Sequence, residues 1–148
     1  MIIKSYELKK RLDNKINHYL LYGVNSGLIE ETITNIFKPN FSKNIQRYDE
    51  NEILGNIEQF KETIFNKSFF ENDKLIIINK TSDKILVIIE EILDKKIEDL
   101  TIILKSNILD KKSKLRNFFE KDKNVVIIPF YEDNNQTLLY LAQNFFKE

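Results

Sequence analysis

Five short, mostly apolar segments separated by stretches of helical periodicity constrain the fold of this chain more than any other sequence feature. They are residues 18–22, 44–48, 74–78, 100–104 and 124–128. Three of the five are almost uniformly apolar and rich in Ile and Val, a pattern typical of parallel strands that are buried on both faces. The second segment mixes polar with apolar residues and therefore predicts an edge strand. Residues 1–4 are a candidate for one further short strand.

Between these segments, apolar residues recur at the three- and four-residue spacing of helices. The residues that share a helical face are Leu28, Ile29, Thr32, Ile33 and Ile36, then Ile53, Ile57, Phe60 and Ile64, then Ile85, Ile88, Ile89 and Ile92, then Leu115, Phe118 and Phe119, and finally Leu138, Leu141 and Phe145. Alternating strands and helices predict an α/β fold, a three-layer parallel open sheet flanked by helices with right-handed crossovers.

The length of the chain predicts a single domain, residues 1–148. Three glycines and two prolines leave no flexible linker between parts of the chain. The last helical stretch reaches Glu148 without a stop signal, so we expect the chain to be a piece of a longer protein.

Charge and residue composition argue against several classes of function. The 23 basic and 23 acidic residues balance, whereas a dedicated nucleic-acid binder normally carries a basic excess. Absence of cysteine excludes disulfides, thiolate zinc sites and cysteine nucleophiles. The single histidine, His18, leaves no histidine-based metal cluster and argues against a Ser-His-Asp triad. We expect His18 to be a strand-end residue with a local partner, and the protein to be cytoplasmic, without a membrane span or a metal ion.

The turn after the first strand has the outline of a phosphate-binding loop. It contains Gly23, Asn25, Ser26 and Gly27. A working loop needs a Lys that reaches the phosphates and a Ser or Thr that binds magnesium. If Gly23 opens the motif, these positions fall on Ile29 and Glu30, and if Gly27 closes it, they fall on Leu28 and Ile29. Neither alignment supplies the required side chains.

Charges around this loop also oppose phosphate binding. We expect Glu30 and Glu31 in the first turn of the following helix, where the positive end of the helix dipole would otherwise attract an anion. The third strand is followed by Asn79 and Lys80, rather than by an acidic residue that would hold magnesium. The sequence therefore predicts a degenerate nucleotide site without a cofactor, in which the glycine turn only joins strand to helix.

Two further segments are candidates for contact with a partner. The first is a locally basic stretch with Lys105, Lys111, Lys112, Lys114, Arg116, Lys121 and Lys123. Either a solvated helix face or a surface that meets DNA phosphates or an acidic partner explains it. The second is residues 65–73, where Phe69 and Phe70 are adjacent in a polar connection. Either Phe65 and one of this pair fold back on the core, or the pair forms an exposed wedge for a partner's pocket.

Four pieces of the chain, in their order and spacing, resemble the N-terminal domain of the delta subunit of bacterial DNA polymerase III, a clamp-loader subunit. They are residues 21–31, residues 68–70 ahead of the strand 74–78, residues 113–121, and the strand that ends near residues 129–131. The resemblance covers essentially the whole chain.

The resemblance implies an AAA+-like domain whose P-loop has decayed, so that it neither binds nor hydrolyses ATP. Delta subunits grip the sliding clamp, the beta subunit, with two apolar residues and help to open the ring during replication. Here these would be Phe69 and Phe70, with Ser68 before them, and the family more often has Leu where this chain has Phe69. The domain would not be catalytic by itself, although it would belong to a complex with DNA-directed DNA polymerase activity.

The same resemblance implies further partners in the full-length protein. These are the gamma/tau and delta prime subunits of the loader, and DNA within the loader complex, for which Lys111, Lys112, Lys114 and Arg116 are candidate contacts. The small helical lid and the collar domain of the family are absent from this chain. Two alternatives stay open: a divergent P-loop nucleotide-binding enzyme, kinase or ATPase, and an interaction domain with another partner in which the two phenylalanines pack inward.

Overall fold

The computed structural model describes residues 1–11, 16–40, 45–65, 74–97 and 99–130. The strands are β1 (His18–Gly23), β2 (Ile45–Asp49), β3 (Lys74–Asn79), β4 (Leu100–Ser106) and β5 (Val126–Phe130). The helices are α1 (Leu8–Arg11), α2 (Ser26–Thr32), α3 (Glu50–Gly55), α4 (Ile57–Phe65), α5 (Leu86–Asp94) and α6 (Lys114–Lys121). Helix α2 continues into a π-helical turn, Ile33–Phe37, and a short 3-10 turn, Lys38–Asn40, and a further 3-10 turn, Asp83–Ile85, leads into α5.

All five strands lie parallel in one sheet with the order β2-β3-β4-β1-β5. Leu20 in the central part of the sheet pairs with Leu104 on one side and with Ile127 on the other. The predicted α/β fold, a parallel sheet with helices, is therefore confirmed. Strand β2 lies at an edge of the sheet, as its mixed sequence predicted.

The end strands differ in detail from the prediction. Strand β5 begins and ends two residues later than expected, at Val126 and Phe130, and so includes Pro129. Because β5 is an edge strand of the described sheet, a proline without an N–H is tolerated there. Ile2 forms only an isolated bridge with Ile127, so the expected short strand at residues 1–4 is reduced to one bridge.

The helical stretch predicted from residues 53–64 is two helices rather than one. Asn56 separates α3 from α4, and its φ of −152° and ψ of 70° are not helical. Its side-chain Oδ1 accepts a hydrogen bond from Gln59 N at 3.3 Å, which supports the start of α4. The last predicted helix, with Leu138, Leu141 and Phe145, lies outside the described residues.

Alternating strand residues supply two apolar clusters, one on each face of the sheet. Leu20 and Tyr22 belong to the cluster that also contains residues of α3 to α6. Tyr19 and Leu21 belong to the cluster that contains residues of α2 and its continuation. Burial on both faces explains the uniformly apolar strands, and it leaves the two edges formed by the strand ends as places for polar side chains. Within the described part of the chain, no helix has the length and apolarity to cross a membrane.

His18 begins β1 at the amino edge of the sheet, and only 6% of its surface is exposed. Its Nε2 has no hydrogen-bond partner among the described residues, so the expectation of a local partner is wrong for this atom. Burial lowers the pKa of His18 to about 4. His18 is among the residues that line an open cleft of about 660 Å³, together with Glu90, Asp94, Lys96 and Asp122.

We expect acid to destabilise the fold through His18. Its pKa is ordinary, 6.5, in the unfolded chain and about 4 in the folded protein, so the unfolded chain binds more protons between these values and stability falls as the pH falls. Between pH 7 and pH 5 this group should lower the free energy of unfolding by about 2 kcal/mol. Urea denaturation at the two pH values measures the loss. The variant His18→Leu cannot titrate there and should lose about 2 kcal/mol less, whereas equal losses would contradict the assignment.

Candidate functional site

The carboxyl edge of the sheet contains the crevice where ligands of open α/β folds bind. Strands β1 and β4 are neighbours, but the chain after β1 continues toward one edge strand, β2, and the chain after β4 continues toward the other, β5. Ligands of open α/β folds bind between two strands whose connections run in opposite directions in this way. The crevice here has a volume of about 330 Å³ and is lined by residues at the ends of β1 to β4. Gly23 N donates a hydrogen bond to Asn107 O at 3.3 Å, which joins the loops that follow β1 and β4.

The two glycines of the turn after β1 serve different purposes. Gly23 has a φ of +136°, in the range that favours glycine. A Cβ at this position would lie 1.9 Å from the carbonyl oxygen of Phe130, at the end of β5. A Cβ on Gly27 would meet nothing closer than Asn25 Oδ1 at 3.9 Å. Gly23 therefore permits the close approach of two strand ends, whereas Gly27 has room for a side chain.

Helix α2 begins earlier than expected, which moves both glutamates away from its start. Asn25 is the N-cap, because its Oδ1 accepts a hydrogen bond from Leu28 N at 3.1 Å. Ser26 is then the first helical residue, and no acidic residue lies in the first turn. The prediction that Glu30 and Glu31 occupy that turn is wrong.

At the positions where a working P-loop has Lys and Ser or Thr, this chain has residues that pack in the core or form ion pairs. Ile29 is 2% exposed and belongs to the core, and Leu28 packs against the same cluster. Glu30 instead forms ion pairs with Lys105, at the end of β4, and with Arg47 of β2. Arg47 donates from both terminal nitrogens, at 3.4 Å to Oε1 and 3.2 Å to Oε2 of Glu30.

The ionisation of Glu30 reflects these two partners. Partial burial alone would raise the pKa of its carboxyl group. Hydrogen bonds and charge from Lys105 and Arg47 together outweigh that effect, so the pKa lies below its usual value and Glu30 is ionised at neutral pH. The carboxylate and its two cations thus lie together in the crevice at the carboxyl edge of the sheet.

Further polar groups at this edge are paired with one another. Asn79, at the end of β3, donates to Asp49 Oδ1 at 3.3 Å. The buried carboxylate of Glu50 accepts from Ser82 N and Ser82 Oγ, each at 2.8 Å, and the hydroxyl of Ser106 donates to Thr81 O at 3.0 Å. The only hint of this region in the sequence is Asp49 with Glu52 three residues later, the pattern of a capping box; Glu52 Oε1 does accept from Asp49 N, at 3.2 Å.

The basic stretch divides into exposed lysines and an arginine engaged within the chain. Lys111, Lys112 and Lys114 are exposed. Arg116 donates to Glu120 Oε1 at 2.6 Å and to Leu109 O at 2.7 Å. Its guanidinium carbon also lies 5.3 Å from the centre of the Tyr22 ring. The structure thus brings the three lysines into one exposed segment but directs Arg116 to intramolecular contacts.

The N-terminus of α6, within the same stretch, is already capped. Ser113 Oγ accepts from Arg116 N at 3.1 Å, and Asp83 Oδ1 accepts from Ser113 Oγ at 2.7 Å and from Leu115 N at 3.1 Å. The hydrogen bond from Ser113, followed by that from Leu115, holds the pKa of Asp83 below its usual value. An aspartate carboxylate thus satisfies the helix N–H groups to which an external phosphate would otherwise bind.

Ser68, Phe69 and Phe70 lie outside the described residues, which include both flanks of their segment. Phe65, at the end of α4, packs against the core, with Lys95 Nζ 5.9 Å from the centre of its ring. Lys74 begins β3, and its N donates to Asp99 O at 2.9 Å. Both flanks therefore lie at the amino edge of the sheet, opposite the crevice.

Comparison with known families identifies one match. The model of the family described as DNA polymerase III, delta subunit, matches residues 19–129, three quarters of the chain. Comparison with curated proteins finds no match. The matched range contains the turn of Gly23, the segment of Phe69 and Phe70, and the basic stretch from Lys111 to Arg116.

Proposed function

Because this chain belongs to the DNA polymerase III delta subunit family, we propose that it is a non-catalytic clamp-loader module that binds the sliding clamp. Its binding residues are Ser68, Phe69 and Phe70, which insert as a hydrophobic wedge into a pocket on the clamp and help to open the ring for loading onto DNA. The domain has the AAA+-like architecture of the family, with a nucleotide site that no longer functions.

The observation that carries this proposal is the family match across the segment of residues 66–73. The flanks of that segment support it, because Ile64 and Leu75 on either side are buried in the core. A short segment between two fixed ends loses less conformational entropy on binding than a free one, so more of the contact energy appears as affinity. Adjacent aromatic residues are also typical of binding hot spots.

The ion pairs of Glu30 in the crevice support the proposal that the domain is not catalytic. Phosphate binding requires unpaired donors and positive charge, whereas Lys105 and Arg47 already share the carboxylate of Glu30. Ile29 and Leu28 cannot replace the P-loop lysine. The alternative function, a divergent P-loop kinase or ATPase, therefore has no support from the side chains at this edge.

The remaining parts of the proposal concern the whole protein. The chain is the N-terminal domain, residues 1–148, of a cytoplasmic protein whose lid and collar domains lie outside this chain. It is the full-length protein, rather than this chain alone, that contacts the gamma/tau and delta prime subunits of the loader, and its contact with DNA is indirect or within that complex. The exposed Lys111, Lys112 and Lys114 provide the contact surface for DNA phosphates or for a neighbouring subunit.

Competition with a peptide tests the proposed clamp-binding segment. The chain should co-elute with its cognate sliding clamp in size-exclusion chromatography, and a synthetic peptide of residues 65–73 should displace it. The same peptide with Phe70→Ala is the matched control and should displace the chain much less. Co-elution that persists at saturating peptide concentration would place the contact elsewhere on the chain and contradict the assignment of these residues.

A further inference from the structure

Two cations at the carboxyl edge of the sheet converge on a single carboxylate. Lys105 and Arg47 come from β4 and β2, whose ends lie on either side of β3, and both contact Glu30 of α2. We infer that this crevice is a binding site for a phosphate-like anion, and that the carboxylate of Glu30 occupies it in place of an anion from solution. This inference rests on the proposed function in one respect, namely that the crevice does not bind a nucleotide.

The geometry around Glu30 is that of a bound anion. Arg47 approaches the carboxylate with both terminal nitrogens, the fork arrangement in which arginine binds carboxylate and phosphate groups. Lys105 donates to Oε1, the oxygen that also accepts from Arg47 Nη1. One carboxylate thus gathers donors from two strands that are not neighbours, as a phosphate ion with several acceptor oxygens would.

Partial burial of Lys105 favours an anion at this place. Only 18% of the Lys105 side chain is exposed, and a cation removed from water needs a nearby opposite charge. Among the described residues, the other charged groups that line the crevice are Lys80 and Asp49, and Asp49 accepts a hydrogen bond from Asn79. Without the Glu30 charge, the crevice would contain three cations and one aspartate, which favours binding of an anion from solution.

Glu30 therefore links the elements around the crevice, as a bound phosphate does in a fold that depends on a nucleotide. It connects α2, which follows β1, to the ends of β2 and β4. The two ion pairs thus join these three elements through groups of the chain itself.

The test removes the charge and supplies phosphate in its place. The variant Glu30→Gln should bind inorganic phosphate at least about tenfold more tightly than the wild type, because two charge-assisted donors become available. Phosphate should also raise its thermal midpoint relative to sodium chloride of the same ionic strength. Glu31→Gln, which removes an adjacent exposed charge, is the matched control and should show neither effect. The double variant Glu30→Gln/Lys105→Met should lose the gain.

The inference is overturned if Glu30→Gln and Glu31→Gln bind phosphate equally weakly. If Glu30→Gln does not fold, Glu30→Asp, which withdraws the carboxylate by one methylene, replaces it in the test. Glu30→Asp should show a smaller increase in phosphate affinity over the wild type, and no increase at all would equally overturn the inference. Pyrophosphate and ATP distinguish a single-phosphate site from a nucleotide site. Binding of ATP by the wild type would contradict the proposed function, whereas clamp binding by Glu30→Gln should equal that of the wild type, since the flanks of residues 66–73 lie at the opposite edge.

Discussion

Gly23→Ala should lower the free energy of unfolding by about 2–6 kcal/mol. The backbone at this position, with φ +136°, costs a residue with a Cβ about 1–3 kcal/mol. The Cβ would also lie 1.9 Å from the carbonyl oxygen of Phe130, so β5 would have to shift, and such overpacking typically costs a further 1–3 kcal/mol, roughly. Since a domain of this kind is stable by about 5–15 kcal/mol, the variant should lose a large fraction of that stability.

Gly27→Ala is the matched control for this prediction. The position has space for a Cβ and lies within α2, so alanine should change the free energy of unfolding by less than about 1 kcal/mol, in the direction of stabilisation. Urea denaturation followed by circular dichroism compares the two variants. Equal effects of the two substitutions would contradict the interpretation that Gly23 serves strand packing.

Phe70→Ala should weaken binding of the sliding clamp by roughly thirty-fold to a thousand-fold, as expected for loss of about 2–4 kcal/mol at an aromatic hot spot. Two phenylalanines that each bury about 150–250 Å² supply roughly 8–12 kcal/mol at about 25 cal/mol/Å². Association entropy and ordering of the segment offset most of that energy. Phe69→Ala should have an effect of the same kind.

Two control variants separate the wedge from general loss of apolar surface. Ile108, in the loop after β4, is 69% exposed at the opposite edge of the sheet, so Ile108→Ala should leave clamp affinity unchanged. Phe69→Leu keeps a large apolar side chain at this position and should keep binding within about threefold of the wild type, since apolar changes of similar volume cost little. Affinity measured by fluorescence anisotropy would contradict the proposal if Phe70→Ala and Ile108→Ala behaved alike.

The strands could be predicted from the sequence because each is a local pattern. The segment around Ile76 is uniformly apolar since both faces of the sheet are covered, and the mixed segment around Arg47 marks an edge. The end of β5 was harder to place, because Pro129 usually terminates a strand and is permitted here only by the edge position. The break at Asn56 was missed because the apolar spacing continues across it.

The crevice could be predicted only in part, for a physical reason. The absence of a P-loop lysine is visible in the sequence, because it depends on the identity of the residue at one position. The ion pairs of Glu30 with Arg47 and Lys105 join residues that are 17 and 75 positions apart, and only the register of the sheet brings them together. The starting residue of α2 likewise depended on the side chain of Asn25, which placed Glu30 one turn later than expected.

Calorimetric titration of this chain into its cognate sliding clamp, with and without ATP and magnesium, tests the central claim most directly. We expect a dissociation constant of about 10 µM or tighter, one chain for each exposed pocket of the clamp, and no change when nucleotide is added. The double variant Phe69→Ala/Phe70→Ala, with an unchanged circular dichroism spectrum, should give no heat of binding. Absence of binding by the wild-type chain at about 100 µM, or binding that the double variant retains, would contradict the claim.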